Sequence, residues 1–269
     1  MTQDTIITGD CIELMRELPE CCIDLTVTSP PYDSLRQYEG YTFDFEGIAK
    51  QLFRITKDGG VVVWIVGDAT VNGSETGTSF KQALYFKDIG FNLYDTMIYG
   101  RSTVPQTQRR YEPEFEYMFV FSKGSPKTFN PIMEKKRWID NRRDKVYHRI
   151  GGDTQFKIGI SSQKTTKIAG NIWYYAVGGW HVTHDKIAHQ HPAIFPEELA
   201  RDHIISWSNE GDLVFDPMCG SGTTCKMAYM LGRHYLGFDV SESYVNIAKE
   251  RMILAEKELE EEKRQLIMF

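Results

Sequence analysis

The chain has 269 residues, 41% hydrophobic and 25% charged, enough to bury the core of one large domain or of a domain with an insertion. Its formal net charge of −6 excludes a protein that is basic overall, so a polyanionic partner has to be met by a local patch. The five cysteines (Cys11, Cys21, Cys22, Cys219 and Cys225) form no C-x-x-C pair and no signal peptide precedes them, which predicts a reduced, cytoplasmic protein; no apolar run approaches the ~18 residues of a membrane span.

In chain order, Thr5–Thr8 reads as a short strand, Gly9-Asp10-Cys11 as a turn, and about Ile12 to Leu18 as a helix stopped by Pro19. The apolar run Ile23–Thr28 reads as a buried strand leading into Thr28-Ser29-Pro30-Pro31-Tyr32. Two consecutive prolines fix two φ angles, remove two N–H donors and hold the preceding residue extended. The result is a rigid corner presenting the Ser29 hydroxyl, the Pro30 carbonyl and the Tyr32 ring at a strand end, where α/β sheets bind ligands. A plain loop corner with a buried tyrosine would leave the same sequence.

A polar loop (Ser34 to Asp44) precedes a helix from roughly Phe45 to Thr56, with Ile48, Leu52, Phe53 and Ile55 on one face. Lys57-Asp58-Gly59-Gly60 is expected to break it before the continuous apolar strand Val61–Val66. A Gly/Ser/Thr-rich loop (Asn72 to Ser79), a helix from about Phe80 to Ile89 and two strands, Leu93–Tyr99 and Phe115–Phe121, come next; the strands suit a hairpin at one sheet edge. Between them, Gly100 to Glu114 reads as a mobile loop bearing Arg101, Arg109 and Arg110, which are candidate contacts for a polyanion such as DNA, with a solvated loop as the alternative.

Composition changes from Lys123 to Lys167, where twelve basic residues face four acids, so this segment is +8 and the remainder −14. Trp138, Tyr147 and Phe156 are interleaved with the charge. The pattern predicts an insertion with a basic face for a polyanion, with Lys135, Lys136, Arg137, Arg142 and Arg143 as contacts; a solvated loop is the alternative. The domain division expected is 1–122, 123–170 and 171–269.

Regularity returns near Asn171-Ile172-Trp173. Pro196 opens a helix with Glu197 and Glu198 in its first turn, running to about Trp207. Leu213–Phe215 is a strand ending at Asp216-Pro217, followed by Met218-Cys219-Gly220-Ser221-Gly222-Thr223-Thr224 and a helix to about Leu231. This strand, glycine turn and helix start let a backbone approach a ligand closely, with helix N–H groups aimed at an anion. Tyr235–Phe238 is a strand ending at Asp239, 23 residues after Asp216, and an acid about 20 residues on suits a ribose diol. Cys225 stands where a third glycine would complete G-x-G-x-x-G, so the pattern suits a ligand with one nucleoside and a carboxylate, such as S-adenosylmethionine. A tight turn without ligand, with Asp216 as its cap, gives the same signature. Ser241 caps a last helix reaching Glu261 or beyond; its charged end reads as solvated, with Leu254, Leu259 and Leu266 as a candidate homodimer contact. His181, His184, His189 and His191 lack cysteine partners or an H-E-x-x-H frame, so no metal is expected.

Ser29-Pro30-Pro31-Tyr32 near the start and Asp216-Pro217-x-x-Gly-Ser-Gly-Thr-Thr near the end resemble the β-group amino-DNA methyltransferases of bacteria and phages. Gly9-Asp10-Cys11, Leu52 to Gly60, Glu116 to Lys123 and His191-Pro192-Ala193-Ile194-Phe195-Pro196 resemble that family's other segments, in its order. The resemblance implies a doubly wound, mostly parallel seven-stranded α/β sheet of the S-adenosylmethionine-dependent methyltransferase fold, with a basic target-recognition insertion. It implies cofactor contacts at Asp10, Cys11, Phe195, Asp216, Pro217, Cys219, Gly220, Ser221, Gly222, Thr223 and Asp239, with Ser29, Pro30, Pro31 and Tyr32 as catalytic residues. The implied partner is double-stranded DNA, with a companion restriction endonuclease as a further candidate and no membrane. Ser at position 29 resembles the cytosine-N4 enzymes of the family more than the adenine-N6 enzymes. A DNA-binding protein that keeps the fold without catalysis, or an RNA methyltransferase, remains an alternative.

Overall fold

The computed structural model describes residues 3–31, 43–101, 109–136, 145–146, 159–160, 165–178 and 181–267. The chain divides into two compact units, one formed by 1–130 with 171–269 and one by 131–170. The composition changes at Lys123, but the unit boundary falls at Pro131. Up to Asn130 the chain is tied into the larger unit: Lys123 Nζ donates to the carbonyls of Phe53 and Thr56, and Asn130 Nδ2 to those of Ile205 and Ser208.

The larger unit is built on one sheet. Its strands are β1 (Thr5–Thr8), β2 (Ile23–Thr28), β3 (Thr56–Val66), β6 (Asn92–Gly100), β7 (Phe115–Ser122), β12 (Ile172–Tyr174), β13 (Leu213–Asp216) and β14 (His234–Asp239), in the order β1-β14-β13-β2-β3-β7-β6-β12. β7 runs against both its neighbours and every other pairing is parallel. A two-stranded ribbon, β4 (Thr70–Val71) with β5 (Ser74–Glu75), follows β3 and turns through Asn72 and Gly73, both at positive φ. In the smaller unit β8 (Met133–Lys135) pairs with β11 (Thr166–Ile168), and β9 (Lys145–Val146) with β10 (Gly159–Ile160).

The helices are α1 (Cys11–Arg16), α2 (Phe45–Ile55), α3 (Thr78–Asp88), α4 (Glu197–Trp207), α5 (Thr223–Met230) and α6 (Glu242–Ile267). They cover both faces of the sheet, which is why the Val61–Val66 part of β3 is apolar without a break. Val62, Trp64 and Val66 enter one core with Met15 of α1, Leu52 of α2 and Phe86 of α3. Val61, Val63 and Ile65 enter the other with Leu199 and Ile204 of α4 and Ala228 of α5.

Two expectations change. Among the described residues the sheet has eight strands, not seven, because Ile172–Tyr174 adds in parallel to the outer edge of β6 with Ile172 opposite Ile98; only three residues long, it carries no periodicity to read. The helix ends before Lys57–Gly60, as expected, but the strand starts at Thr56 rather than Val61. Thr56 pairs with Ile23 and Val61 with Leu25, so the intervening residues bulge out of a strand already begun, with Gly59 at φ +80°. The Leu93–Tyr99 and Phe115–Phe121 strands do form the expected antiparallel pair, with β12 outside it.

Candidate active site

β1, β14, β13 and β2 lie side by side and parallel, so their C-terminal ends open at one place. Thr8 is opposite Asp239, Asp216 opposite Gly237, and Phe215 opposite Thr26. The sequence-distant segments following them therefore meet: Gly9–Cys11 after β1, Ser29–Pro31 after β2, the glycine turn after β13 and Asp239 ending β14. The chain order also reverses here, since β13 sits between β2 and β14, and such switch points are where open α/β sheets bind ligands.

The turn is held by its neighbours. Asp239 accepts hydrogen bonds from Gly220 N at Oδ2 and Ser241 N at Oδ1, both 2.9 Å, and burial raises its pKa. The Val240 amide also bears on this carboxylate, which still keeps lone-pair capacity for a hydroxyl donor such as a ribose diol. Gly220 and Gly222 have φ +50° and +78°. A Cβ at Gly220 would lie 2.7 Å from His191 Nε2, and one at Gly222 2.7 Å from Ala248 Cβ. Gly222 is the N-cap of α5 and no side chain caps it, so the first amides of that helix remain suited to an anionic group. Acceptors for a diol beside donors for a carboxylate fit S-adenosylmethionine.

Asp10 lies beside this turn, Gly9 N bonding to Asp239 O at 2.9 Å, and its Oδ1 caps α1 by accepting from Ile12 N and Glu13 N. The half-buried Cys11 thiol is pushed up to about 12, mostly by burial and then by the Asp10 charge, so it stays a neutral packing group. The bond from Cys225 and burial likewise raise the Cys219 thiol. Pro217 sits in the turn, and Ser221 and Thr223 are buried within it. Phe195, partly buried, rests against the core containing Leu199 and Ile204.

Asp216 is buried, and its Oδ1 accepts from Thr28 Oγ1 at 2.7 Å and Met218 N at 3.1 Å. Burial pushes its carboxyl up to about 6 against these bonds. Thr224 Oγ1 of α5 also donates to Val27 O at 3.0 Å. The strand feeding Ser29 is thereby locked to the glycine turn. Ser29 and Pro31 are partly buried and Pro30 is buried; Tyr32 lies outside the described residues.

The expected DNA contacts are spread more widely. Arg101 lies 3.2 Å from Glu116. Arg110 donates to Thr70 Oγ1 at 2.8 Å and Gly73 O at 2.9 Å and lies 3.7 Å from Glu75, so it braces the β4–β5 ribbon. Arg109 and Lys135 are exposed and Lys136 partly so, while Arg137, Arg142 and Arg143 lie outside the described residues. His181, His184 and His189 are exposed; His191 is buried, its Nδ1 accepting from Ala193 N. Among the described residues no group of three or more His, Cys, Asp or Glu side chains could hold a metal ion. No described helix is long and apolar enough to cross a membrane.

One group escaped the sequence reading. Arg251 of α6 is fully buried, 2.8 Å from Asp185 and bonded to Glu197, with Lys226 on the same two carboxylates at 2.9 and 3.1 Å. The available signal was spacing: Val245, Ala248 and Ala255 form an apolar stripe, and Arg251 falls within it.

Fold and site together define a nucleoside-cofactor-binding α/β enzyme of the methyltransferase type. A family model described as DNA methylase matches residues 23–250. The orphan methyltransferase M.BamHII of Bacillus amyloliquefaciens is 53% identical over 246 residues, covering 89% of this chain and 92% of that one. The type II methyltransferase M.BglII of Bacillus subtilis is 25% identical over 252 residues, covering 90% of this chain and 67% of that one. Among solved structures, the PvuII DNA methyltransferase (cytosine-N4-specific) has a TM-score of 0.69 at 21% identity, covering 93% of this chain and 86% of that one. TTHA0409 of Thermus thermophilus complexed with S-adenosylmethionine has a TM-score of 0.61 at 24% identity, covering 93% and 95%. The chain belongs to the DNA methylase family, as a site-specific methyltransferase acting on the exocyclic amines of DNA bases. Its methyl donor is S-adenosylmethionine.

Proposed function

We propose that the enzyme methylates N4 of cytosine in double-stranded DNA, with Ser29 and Pro30 holding the target amine. The bound cofactor supplies an electrophilic methyl group on a sulfonium. The amine is a poor nucleophile because its lone pair is delocalised into the ring. The Pro30 carbonyl and the Ser29 hydroxyl accept its two hydrogens and concentrate electron density on nitrogen, which is positioning plus electrostatics without a covalent enzyme intermediate. The amine is buried in a duplex, so the base is flipped out, with Tyr32 as its stacking face.

Asp239, Asp10 and the 216–223 turn with Cys11 and Phe195 hold the cofactor. Arg109 and the basic 123–167 segment, including Lys135, Lys136, Arg137, Arg142 and Arg143, meet the DNA. Arg101 and Arg110, which already face carboxylates, contribute less.

The observation that supports this division of labour is the Thr28–Asp216 bond, which ties the strand preceding Ser29 to the residue that opens the glycine turn. The choice of cytosine rests on Ser29; adenine-N6 is the second reading, because a serine hydroxyl satisfies either amine. The orphan name of the 53% identical relative favours action without a dedicated endonuclease over a restriction pair. Incubation of bacterial DNA with labelled S-adenosylmethionine, digestion to nucleosides and mass identification tests the proposal. N4-methylcytosine is expected; N6-methyladenine would overturn the base assignment, and unlabelled DNA the function.

A further inference from the structure

The geometry points to Arg251 as a positioning residue for the cofactor turn, acting from the last helix through the backbone of Ser221. The inference rests on the reading of the 216–223 turn as the cofactor site. Arg251 Nη1 donates to Ser221 O at 2.8 Å, Ser221 Oγ at 3.2 Å and Thr223 Oγ1 at 3.1 Å. Its other edge is held from behind: Nε donates to Asp185 Oδ2 at 2.8 Å and Nη2 to Glu197 Oε1 at 2.5 Å. Lys226 Nζ joins the same two carboxylates, and Thr183 Oγ1 donates to Glu197 Oε1 at 2.7 Å. Two cations meet two carboxylates, with Glu258 3.8 Å from Lys226 at the rim. Burial pushes the Asp185 carboxyl up, but the bonds from Arg251 and Lys226 outweigh it and hold it below its ordinary value, so Asp185 is a carboxylate.

A buried ion network of this kind gives little stability beyond what a well-packed apolar cluster would give. What it does give is direction. Gly220 and Gly222 both occupy left-handed conformations, and glycine has little intrinsic preference among backbone states, so the turn is not self-determined. The planar guanidinium is a rigid fork whose donors point in fixed directions. With one edge fixed on Asp185 and Glu197, the other fixes the Ser221 carbonyl and the two hydroxyls beside it.

Asp185 stands just before a short 3-10 helix (Lys186–Gln190), and the chain meets the turn a second time beyond that helix, where His191 lies against Gly220. Arg251 thus ties that segment and the turn together. A turn fixed before the ligand arrives avoids an ordering cost on binding.

Arg251→Lys keeps the charge and its reach to the carboxylates but loses the fork. The expected result is cooperative unfolding, S-adenosylmethionine affinity at least tenfold weaker by calorimetry, and faster amide hydrogen exchange at 220–223 in the cofactor-free protein. Cofactor-free DNA affinity should stay within twofold of wild type. Asp185→Asn, which frees the back of the fork while leaving Arg251 in place, is the second variant and should show the same pattern to a smaller degree; it decides the matter if Arg251→Lys does not fold. Wild-type cofactor affinity and turn exchange in the folded variants would overturn the role of Arg251 alone. Wild-type protein that protects 220–223 yet binds no S-adenosylmethionine would overturn the cofactor reading of the turn, and this proposal with it.

Discussion

Thr28 and Asp216 are 188 residues apart in the chain, yet the Thr28 hydroxyl donates to Asp216 Oδ1 at 2.7 Å in the buried seam between β2 and β13. The bond couples the end of the strand that precedes Ser29 to Asp216, where the glycine turn begins. Thr28→Val keeps the shape and removes the donor, leaving a buried carboxylate short of one partner. The expected loss is about 1–3 kcal/mol of stability, with a fall in kcat/KM that Thr28→Ser restores. Denaturant unfolding and initial rates over a range of DNA concentrations reaching below KM check both.

Ser29→Ala should lower kcat by about 10²-fold, the scale of losing one well-placed polar contact to a reacting group. Cofactor affinity should survive, because Ser29 lies on the β2 side of the seam. Calorimetry beside single-turnover methylation separates the two. A parallel loss of S-adenosylmethionine binding would break the proposed division between corner and turn.

Gly220 is at φ +50°, and a Cβ there would approach His191 Nε2 to 2.7 Å. Gly220→Ala therefore combines a left-handed backbone cost of about 1–2 kcal/mol with a clash in a buried place. Cofactor affinity should drop far more than DNA affinity, as read by calorimetry and by a cofactor-free mobility shift.

The Asp216 carboxyl is pushed by burial from 3.8 to about 6. A raised carboxyl favours the fold while protonated, so its contribution is complete below the unfolded value and is lost as pH rises through about 6. Relative to Asp216→Asn, wild-type stability should fall by on the order of 3 kcal/mol between pH 4 and pH 7, because each unit is worth about 1.4 kcal/mol. Paired melts across that range would show it, and a flat difference would contradict it.

His203 is fully buried beside Met118 and Trp173, and burial pushes it down to about 3. Its neutral form is the folded form, so stability is complete above the unfolded value near 6.5 and is lost as pH falls towards 3. His203→Leu should flatten that acid limb, measurable as the pH dependence of the melting midpoint.

Much of this protein is local chemistry and was legible residue by residue. The strand, glycine turn and helix at Leu213–Thr224 need only neighbours in the chain, and so does the double proline after β2. Alternation in Val61–Val66 cannot be seen, but its unbroken apolar character already implies a strand covered on both faces. What the sequence could not decide lies where groups far apart in the chain share one volume. β12 is a strand only because β6 offers an open edge. The strand after α2 starts at Thr56, with Lys57–Gly60 bulging from it, because β2 pairs with residues on both sides of that segment. Arg101 and Arg110 looked like free cations until Glu116 and the β4–β5 ribbon were placed beside them. Arg251 is the extreme case. By itself a guanidinium belongs in water, and its burial becomes affordable only when Asp185, Glu197 and the Ser221 carbonyl converge on it from elements that the tertiary structure alone brings together.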